Sequence, residues 1–175
     1  MTTRGLSGWI AAAGWVGVVV AIVPVPVGAA DGNKACGLLT PSELESVLGN
    51  LTLNGGTPMT GGKTEICMGQ AASATVMLRL VTGLDPGRDR SGNKEKAGIE
   101  LFKKMGVKVD VKTFGPITYS TIVPSESLAQ HGFNTTCTVS KETAVAGIEV
   151  TAENQKDMVP IERLHPLAEK MAGRF

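Results

Sequence analysis

Three cysteines and two histidines are the side chains of this 175-residue chain whose types could support nucleophilic, redox or metal chemistry. A thiol beside an imidazole is the reactive pair of cysteine hydrolases. Here that pair would join Cys67 or Cys137 to His131 or His165. Cys137 falls on the apolar phase of a predicted strand and His131 in a predicted loop, a pattern that favours an inert buried thiol over a catalytic pair.

A soft-metal site is a second use for such residues, because thiolate and thioether ligands suit copper(I). The candidate ligands are Cys137, His131, Met59, Met68 and Met77. Their spacing matches no metal motif, and the chain contains no HExxH, CxxC or calcium-loop pattern. Methionine ordinarily fills irregular gaps in cores. We therefore expect no metal, no cofactor and no catalytic residue.

The odd number of cysteines leaves several pairings open. In an exported protein an even set forms disulfides, and the remaining cysteine is a free thiol or pairs elsewhere. The residues favour a Cys36–Cys67 bridge, with Cys137 as the candidate free thiol. Cys67–Cys137, Cys36–Cys137 and no bridge at all are the alternatives. A loop of the favoured size would add about 3–4 kcal/mol of stability on the chain-entropy model.

Export is indicated by the first thirty residues. Arg4 is the only charged residue before Asp31, an apolar run spans residues 9–23, and small residues fill positions 28–30. This is the layout of a secretory signal peptide. We predict cleavage between Ala30 and Asp31, which places the protein outside the cytoplasm, secreted or periplasmic. A retained membrane anchor is the alternative, although a spanning helix needs about 20 apolar residues.

The predicted mature chain, residues 31–175, is long enough for a single domain with one core. Without Arg4 the chain has 16 basic and 16 acidic side chains, and this neutral balance argues against a nucleic-acid partner. One stretch is locally basic: Lys94, Lys96, Lys103, Lys104, Lys108 and Lys112, interleaved with Glu95, Glu100 and Asp110. We interpret it as a solvated face, with a surface for an anionic ligand as the alternative.

The elements that must position these residues begin with a well-marked helix. Thr40 has the type of an N-cap, Pro41 suits the first helical position, and Glu43 completes a capping box. Gly49 then suits the end of the helix.

The remaining pattern predicts two more helices and six strands. The strands are expected near 64–69, 73–82, 107–112, 116–123, 133–140 and 144–151, the helices near 94–105 and 166–172, and loops at 50–63 and 83–92. The first of these helices should bury Ala97, Leu101, Phe102 and Met105. The order α-β-β-α-β-β-β-β-α predicts a disulfide-stapled α+β fold, a mainly antiparallel sheet with flanking helices.

The segment from Cys36 to Cys67 combines three features. It opens with Cys-x-Leu-Leu-Thr-x-x-Glu, ends its helix at Leu48-Gly49, and places a second cysteine at the start of the first predicted strand. In these features it resembles small secreted bacterial domains of unknown function, including actinobacterial lipoprotein domains. The resemblance implies an extracytoplasmic α+β domain with no assigned reaction, and it supports the Cys36–Cys67 pairing. The lipidated cysteine of those lipoproteins is missing, so their membrane anchoring does not carry over.

These observations favour a non-enzymatic domain that binds a ligand or a protein partner in the cell envelope. The expected contact surface is the sheet edge together with loops 50–63 and 83–92, since functional residues concentrate on loops held by a rigid scaffold. One alternative is an envelope thiol enzyme or redox protein that uses Cys137. The other is a membrane-tethered structural protein with an uncleaved N-terminal segment. The oligomeric state is left open.

Overall fold

The structure, a computed structural model, describes residues 32–58, 63–85 and 93–175. The predicted signal peptide, residues 1–30, lies outside this range, and so does its cleavage point between Ala30 and Asp31. Parts of the two predicted loops, residues 59–62 and 86–92, also lie outside it. None of the helices within the described ranges is long and apolar enough to cross a membrane.

The first helix, α1 (Pro41–Leu48), begins with the predicted capping box. The Thr40 hydroxyl accepts a hydrogen bond from the backbone N–H of Glu43 at 3.3 Å, and the Glu43 carboxylate accepts one from the Thr40 N–H at 2.9 Å. Gly49 ends the helix with a φ of +77°, a conformation that favours glycine. The predicted helix start is confirmed.

In the described part of the chain, seven strands form one sheet in which every neighbouring pair is antiparallel. They are β1 (Leu51–Pro58), β2 (Thr64–Ala71), β3 (Ala74–Thr82), β4 (Lys108–Phe114), β5 (Ile117–Val123), β6 (Phe133–Ser140) and β7 (Ala144–Ala152). Two further helices are α2 (Asn93–Lys104), between β3 and β4, and α3 (Ile161–Ala172), after β7. The predicted α+β class and its mainly antiparallel sheet are confirmed.

The predicted element order was wrong in one place, because residues 50–63 do not form only a loop. Their first part is the edge strand β1, which pairs with β2. Leu51 and Leu53 alternate along it and pack against the core. A register shift between Leu53 and Gly56 accommodates the intervening Asn-Gly pair, the sequence that had favoured a turn.

Gly56 has a specific packing reason to be glycine. The Asn33 side-chain amide donates a hydrogen bond to the backbone oxygen of Ile66 at 2.9 Å. A Cβ on Gly56 would lie 1.9 Å from the Asn33 Nδ2 atom and 2.2 Å from that same oxygen. The missing side chain therefore lets Asn33 reach β2, which ties the segment before α1 to the sheet.

The strand order is β1-β2-β3-β7-β6-β5-β4, so the last strand lies in the middle of the sheet. β1 to β3 form one meander, β4 to β6 approach it from the other side, and β7 pairs with both β3 and β6. One register row crosses the centre of the core face and joins five fully buried residues: Cys67, Leu78, Ile148, Cys137 and Tyr119.

Helix α3 covers this face of the sheet and packs mainly on β6. Its buried residues are the predicted Leu164, Leu167, Ala168 and Met171. The helix begins at Ile161 rather than near Pro166, so the proline lies inside it. The earlier start fits the sequence, because Leu164 already belongs to the apolar stripe that the core buries.

The face of the sheet opposite α3 is the open face. A register row across its centre contains Met68, Met77, Glu149, Thr136, Ser120 and Val111. All six of these side chains are half-buried or exposed. The open face is therefore a mixed surface of hydroxyl, carboxylate and thioether groups.

Helix α2 forms where predicted, but its predicted burial is wrong. Leu101, Phe102 and Met105 are 60%, 41% and 45% exposed. The periodic pattern correctly indicated one apolar face of the helix, yet its main packing neighbour is only the edge strand β4. An amphipathic pattern defines a face without defining what covers it.

Glu43 joins α1 to the C-terminal part of α3. Its carboxylate receives hydrogen bonds from both terminal nitrogens of Arg174, at 2.6 and 2.8 Å, and the ammonium of Lys170 lies 3.3 Å away. Arg174 also donates to the backbone oxygen of Leu38 at 2.9 Å. These contacts, led by Arg174, lower the pKa of Glu43 from 4.5 to about 2.

One buried polar atom in the core supports a stability prediction. The Thr135 hydroxyl is buried, and within the described ranges it has no hydrogen-bond partner. A buried unsatisfied hydroxyl costs about 1–3 kcal/mol. We expect Thr135→Val, which keeps the shape, to raise the free energy of unfolding by about 1 kcal/mol in urea titrations.

The neighbouring Thr136 provides the matched control. Its hydroxyl donates to the Asn134 side-chain oxygen at 2.8 Å on the open face. Thr136→Val should therefore lower stability. A Thr135→Val protein less stable than the parent would show that the Thr135 hydroxyl is satisfied and would contradict this prediction.

Candidate functional site

The structure contains a disulfide between Cys36, in a 3₁₀ turn at Lys34–Gly37, and Cys67 in β2. It connects the segment before α1 to the sheet across 31 residues of chain. Disulfides persist in oxidising compartments and are rare in the cytosol. The bridge therefore fits an oxidising environment, and it removes Cys67 from any thiol chemistry.

Cys137 carries a free thiol that is fully buried in β6. Burial raises the pKa of this thiol to about 12, so it stays protonated at neutral pH. Within the described residues, no hydrogen bond connects it to His131 or His165. The cysteine–histidine pairs considered from the sequence are thus not assembled, and the thiolate that a nucleophile requires is not stabilised.

Above Cys137 lies a chain of three contacting side chains, in which Tyr119 and His165 are hydrogen-bonded. The Tyr119 hydroxyl contacts Nδ1 of His165, and Nε2 of His165 lies 3.4 Å from the Glu169 carboxylate one helical turn further along α3. Burial, with smaller contributions from Cys137 and Glu169, raises the pKa of Tyr119 to about 12. Tyr119 therefore stays protonated at neutral pH.

This chain fits a structural role better than a catalytic one. The Tyr119 ring is fully buried, and the raised pKa leaves its oxygen a poor nucleophile. What the contact does achieve is to satisfy a buried hydroxyl with a side chain from α3, which fixes the helix over β5.

A polar cleft of about 410 Å³ lies at one end of the sheet. Thr75 and Thr151, the second residue pair at this end of β3 and β7, form its floor, and the end of the 3₁₀ helix Glu126–His131 forms one side. Its lining consists of Thr75, Ala129, Gln130, His131, Gly132, Thr151, Ala152 and Glu153. Residues that carry two hydroxyls, an amide, an imidazole and a carboxylate therefore line one open space of a size typical for ligand sites.

Gly132 sets the shape of the cleft wall. Its φ is +80°, and a Cβ there would lie 2.5 Å from the Cγ2 atom of Thr151. Both the backbone conformation and the close approach require glycine. The end of the 3₁₀ helix can thus pack closely against β7, which places His131 at the rim of the cleft.

An ordered polar network borders the cleft on the open face. The Asn134 side-chain amide donates to the Glu149 carboxylate at 2.6 Å and to the Thr151 hydroxyl at 3.2 Å. Thr136 donates in turn to the Asn134 oxygen. Because Thr151 belongs to both the network and the cleft, its position is fixed before any ligand arrives, as a binding site requires.

The other sequence-based candidates are dispersed. Met68 and Met77 are cross-strand neighbours on the open face, whereas Cys137 faces the core on the opposite side of the sheet. Met59 lies outside the described residues. Searching the described ranges for three or more clustered histidine, cysteine or carboxylate ligands finds no such group.

Sequence reasoning placed His131 in a loop but did not bring it together with Thr75, Thr151 or Glu153. These residues meet only because β7 pairs with β3, across more than seventy positions of chain. The Gly132 that follows the 3₁₀ helix was the one local signal for a tight turn at this position.

Comparison with known proteins does not assign a function to this cleft. No protein-family model, no curated protein and no solved structure matches the chain.

Proposed function

We propose that the chain is a non-enzymatic binding domain of the cell envelope, secreted or periplasmic, whose polar cleft holds a small hydroxylated ligand with an amine group. The single observation that carries the proposal is that five residues with polar side chains line one cleft of about 410 Å³, in which the Thr151 hydroxyl is held by Asn134. The predicted signal peptide and the disulfide support the location outside the cytoplasm. The protonated Cys137 and Tyr119 support binding rather than catalysis.

The chemistry of the lining supports the ligand class. Thr75, Thr151 and Gln130 can donate to and accept from hydroxyl groups, and Glu153 is a carboxylate that can accept from an ammonium group. Glu149 adds a second carboxylate beside Thr151 through Asn134. An anionic ligand would meet these carboxylates and is disfavoured.

Kinship with the small secreted bacterial domains that the segment from Cys36 to Cys67 resembles is part of the same proposal. The capping box of α1, the glycine at its end and the bridge to β2 support it. The thiol alternative is less well supported, since it would require a thiolate at a buried position where the pKa is raised.

Titration with glucosamine oligomers, monitored by backbone amide chemical shifts, tests the proposal. We expect shifts confined to residues 129–132 and 151–153 and the neighbourhood of Thr75. N-acetylated oligomers should bind more weakly because they lack the ammonium group. Glu153→Gln keeps the shape of the site and should weaken binding of the amino form about tenfold or more, as expected for a lost charge-assisted hydrogen bond.

Glu162→Gln, which changes an exposed carboxylate in the first turn of α3, is the matched control and should bind like the parent. Thr151→Val should weaken the binding of both oligomers. Absence of binding by either probe, shifts that map elsewhere, or an affinity that Glu153→Gln leaves unchanged would each reject the proposed site.

A further inference from the structure

The residues of α2 and the start of β4 form a basic and apolar surface that lies outside the proposed cleft. We propose that this surface, the α2 patch, docks on an anionic lipid bilayer. The α2 patch is defined by Leu101, Phe102, Lys104, Met105 and Lys108.

The apolar part of the α2 patch is exposed on one side of a helix. Leu101, Phe102 and Met105 have the spacing i, i+1 and i+4, and each is at least 41% exposed. Met105 continues the helical turn, since its N–H donates to the backbone oxygens of Leu101 and Phe102. Large apolar side chains grouped in this way on a surface mark a site of contact with a protein or a membrane.

Charge distinguishes between these two kinds of partner. Residues 94–112 carry six lysines and three carboxylates, a net charge of +3 in a chain whose total is +1. Lys103 pairs with Glu100 at 3.1 Å and Lys112 with Asp110 at 3.7 Å, so Lys104 and Lys108 supply two of the three excess charges. A short amphipathic helix with lysines beside Leu and Phe is the pattern of interfacial membrane binding.

A second copy of this chain fits the surface less well. β4 is an edge strand of the sheet, and Lys108 and Lys112 lie on the same face of this strand. Antiparallel pairing of two β4 edges centred on Asp110 would place each Lys108 opposite the other chain's Lys112. Like charges directly opposite one another destabilise strand pairing, and edge lysines commonly prevent it.

The position of the α2 patch relates it to the cleft. The turn after α2 places Gly106 beside Ser125, with a Cβ on that glycine 3.5 Å from the Ser125 Cβ, and Ser125 immediately precedes the 3₁₀ helix that lines the cleft. The α2 patch and the cleft thus share one end of the sheet. Docking would hold the cleft close to the lipid headgroups.

The expected changes in membrane affinity follow from the lysines and from the apolar side chains of the α2 patch. Each lysine close to an anionic membrane surface contributes about fivefold in affinity, at about 1 kcal/mol. Reversal of one charge should therefore weaken binding at least about tenfold. Replacing a largely exposed leucine by serine removes part of the apolar contact and should weaken binding about fivefold.

Hydrogen–deuterium exchange of the full chain, with and without vesicles, tests the proposal. One set of vesicles contains phosphatidylcholine alone and the other an equal mixture with phosphatidylglycerol. We expect slower exchange in residues 98–112 with the mixed vesicles only, reversed at about 1 M salt, where the screening length falls to about 3 Å. Because the readout is local, an N-terminal segment that also binds lipid does not imitate it.

Three variants complete the design. Lys104→Glu and Leu101→Ser should lose the protection, whereas Lys156→Glu, the same reversal at an exposed lysine outside the α2 patch, should keep it. Equal protection by both kinds of vesicle, or by soluble polyglutamate at matched charge, would overturn the assignment to an anionic bilayer. So would unchanged protection in Lys104→Glu, or no protection in residues 98–112 of the parent.

Discussion

Replacing Cys36 and Cys67 together by alanine is expected to lower the free energy of unfolding by about 3–4 kcal/mol. The bridge closes a loop of 31 residues, and the chain-entropy model assigns that stabilisation to the restricted unfolded chain. Such a loss is a large part of the 5–15 kcal/mol typical of a whole domain. Urea titration of the oxidised parent and the double variant, monitored by circular dichroism, measures it.

Cys137→Ala is the matched control, because it removes the third cysteine, which is equally buried, without opening a loop. It should cost about 1 kcal/mol, as for a typical single substitution. Adding a reductant should destabilise the parent and the Cys137→Ala variant by equal amounts and leave the double variant unchanged. A double variant within about 1 kcal/mol of the parent would show that the bridge contributes little.

Glu43→Gln should lower stability by about 2 kcal/mol at neutral pH. A pKa lowered from 4.5 to about 2 corresponds to about 3 kcal/mol of preferential interaction with the charged form. Solvent around Arg174 and Lys170 screens part of this. Glutamine preserves the capping box, which accepts either residue at this position, so the substitution isolates the ion pairs between α1 and α3.

The same contact predicts a pH dependence. Because the folded pKa of Glu43 lies below its unfolded value, the contribution is complete above about pH 4.5 and declines as the pH falls toward 2. The difference in unfolding free energy between the parent and Glu43→Gln should therefore shrink over this range. Glu45→Gln, an exposed change on the same helix, serves as the control. A difference that stays constant from pH 6 down to 2.5 would contradict the proposed ion pairs.

Sequence signals predicted the elements that are stabilised by interactions between residues close together in the chain. The capping box at Thr40 and Glu43 defined the start of α1, and alternation along residues 133–140 and 144–151 defined the hairpin of β6 and β7. In each case the interactions that fix the element lie within a few positions of one another. Capping and strand periodicity are therefore readable without knowledge of the rest of the fold.

The predictions were wrong where contact with residues far along the chain determines the structure of a segment. The segment containing Asn54, Gly55 and Gly56 looks like a loop until β2 is available to pair with it and Asn33 occupies the space beside Gly56. Leu101 and Phe102 look like core residues until the structure shows that, among the described residues, the main packing neighbour of α2 is an edge strand. Neither fact is encoded in the neighbouring residues.

The candidate cleft could not be predicted for the same reason. Its floor requires Thr75 and Thr151 to be opposite each other, and that pairing depends on β7 lying beside β3. The contact between Tyr119 and His165 likewise spans 46 positions and depends on where α3 crosses the sheet. Composition gave the number of titratable residues, but not which of them would meet.

The central place of β7 has a consequence for how the chain folds. The strands β1 to β3 and the Cys36–Cys67 bridge need nothing beyond residue 82, so this half can form and oxidise early. Until β7 arrives, however, β3 presents an unpaired apolar edge of nine residues, a template for mispairing with other chains. We expect the insertion of β7 to be the slow step of folding, since pairing across a long sequence separation is intrinsically slow. That waiting time is when the protein is most exposed to aggregation.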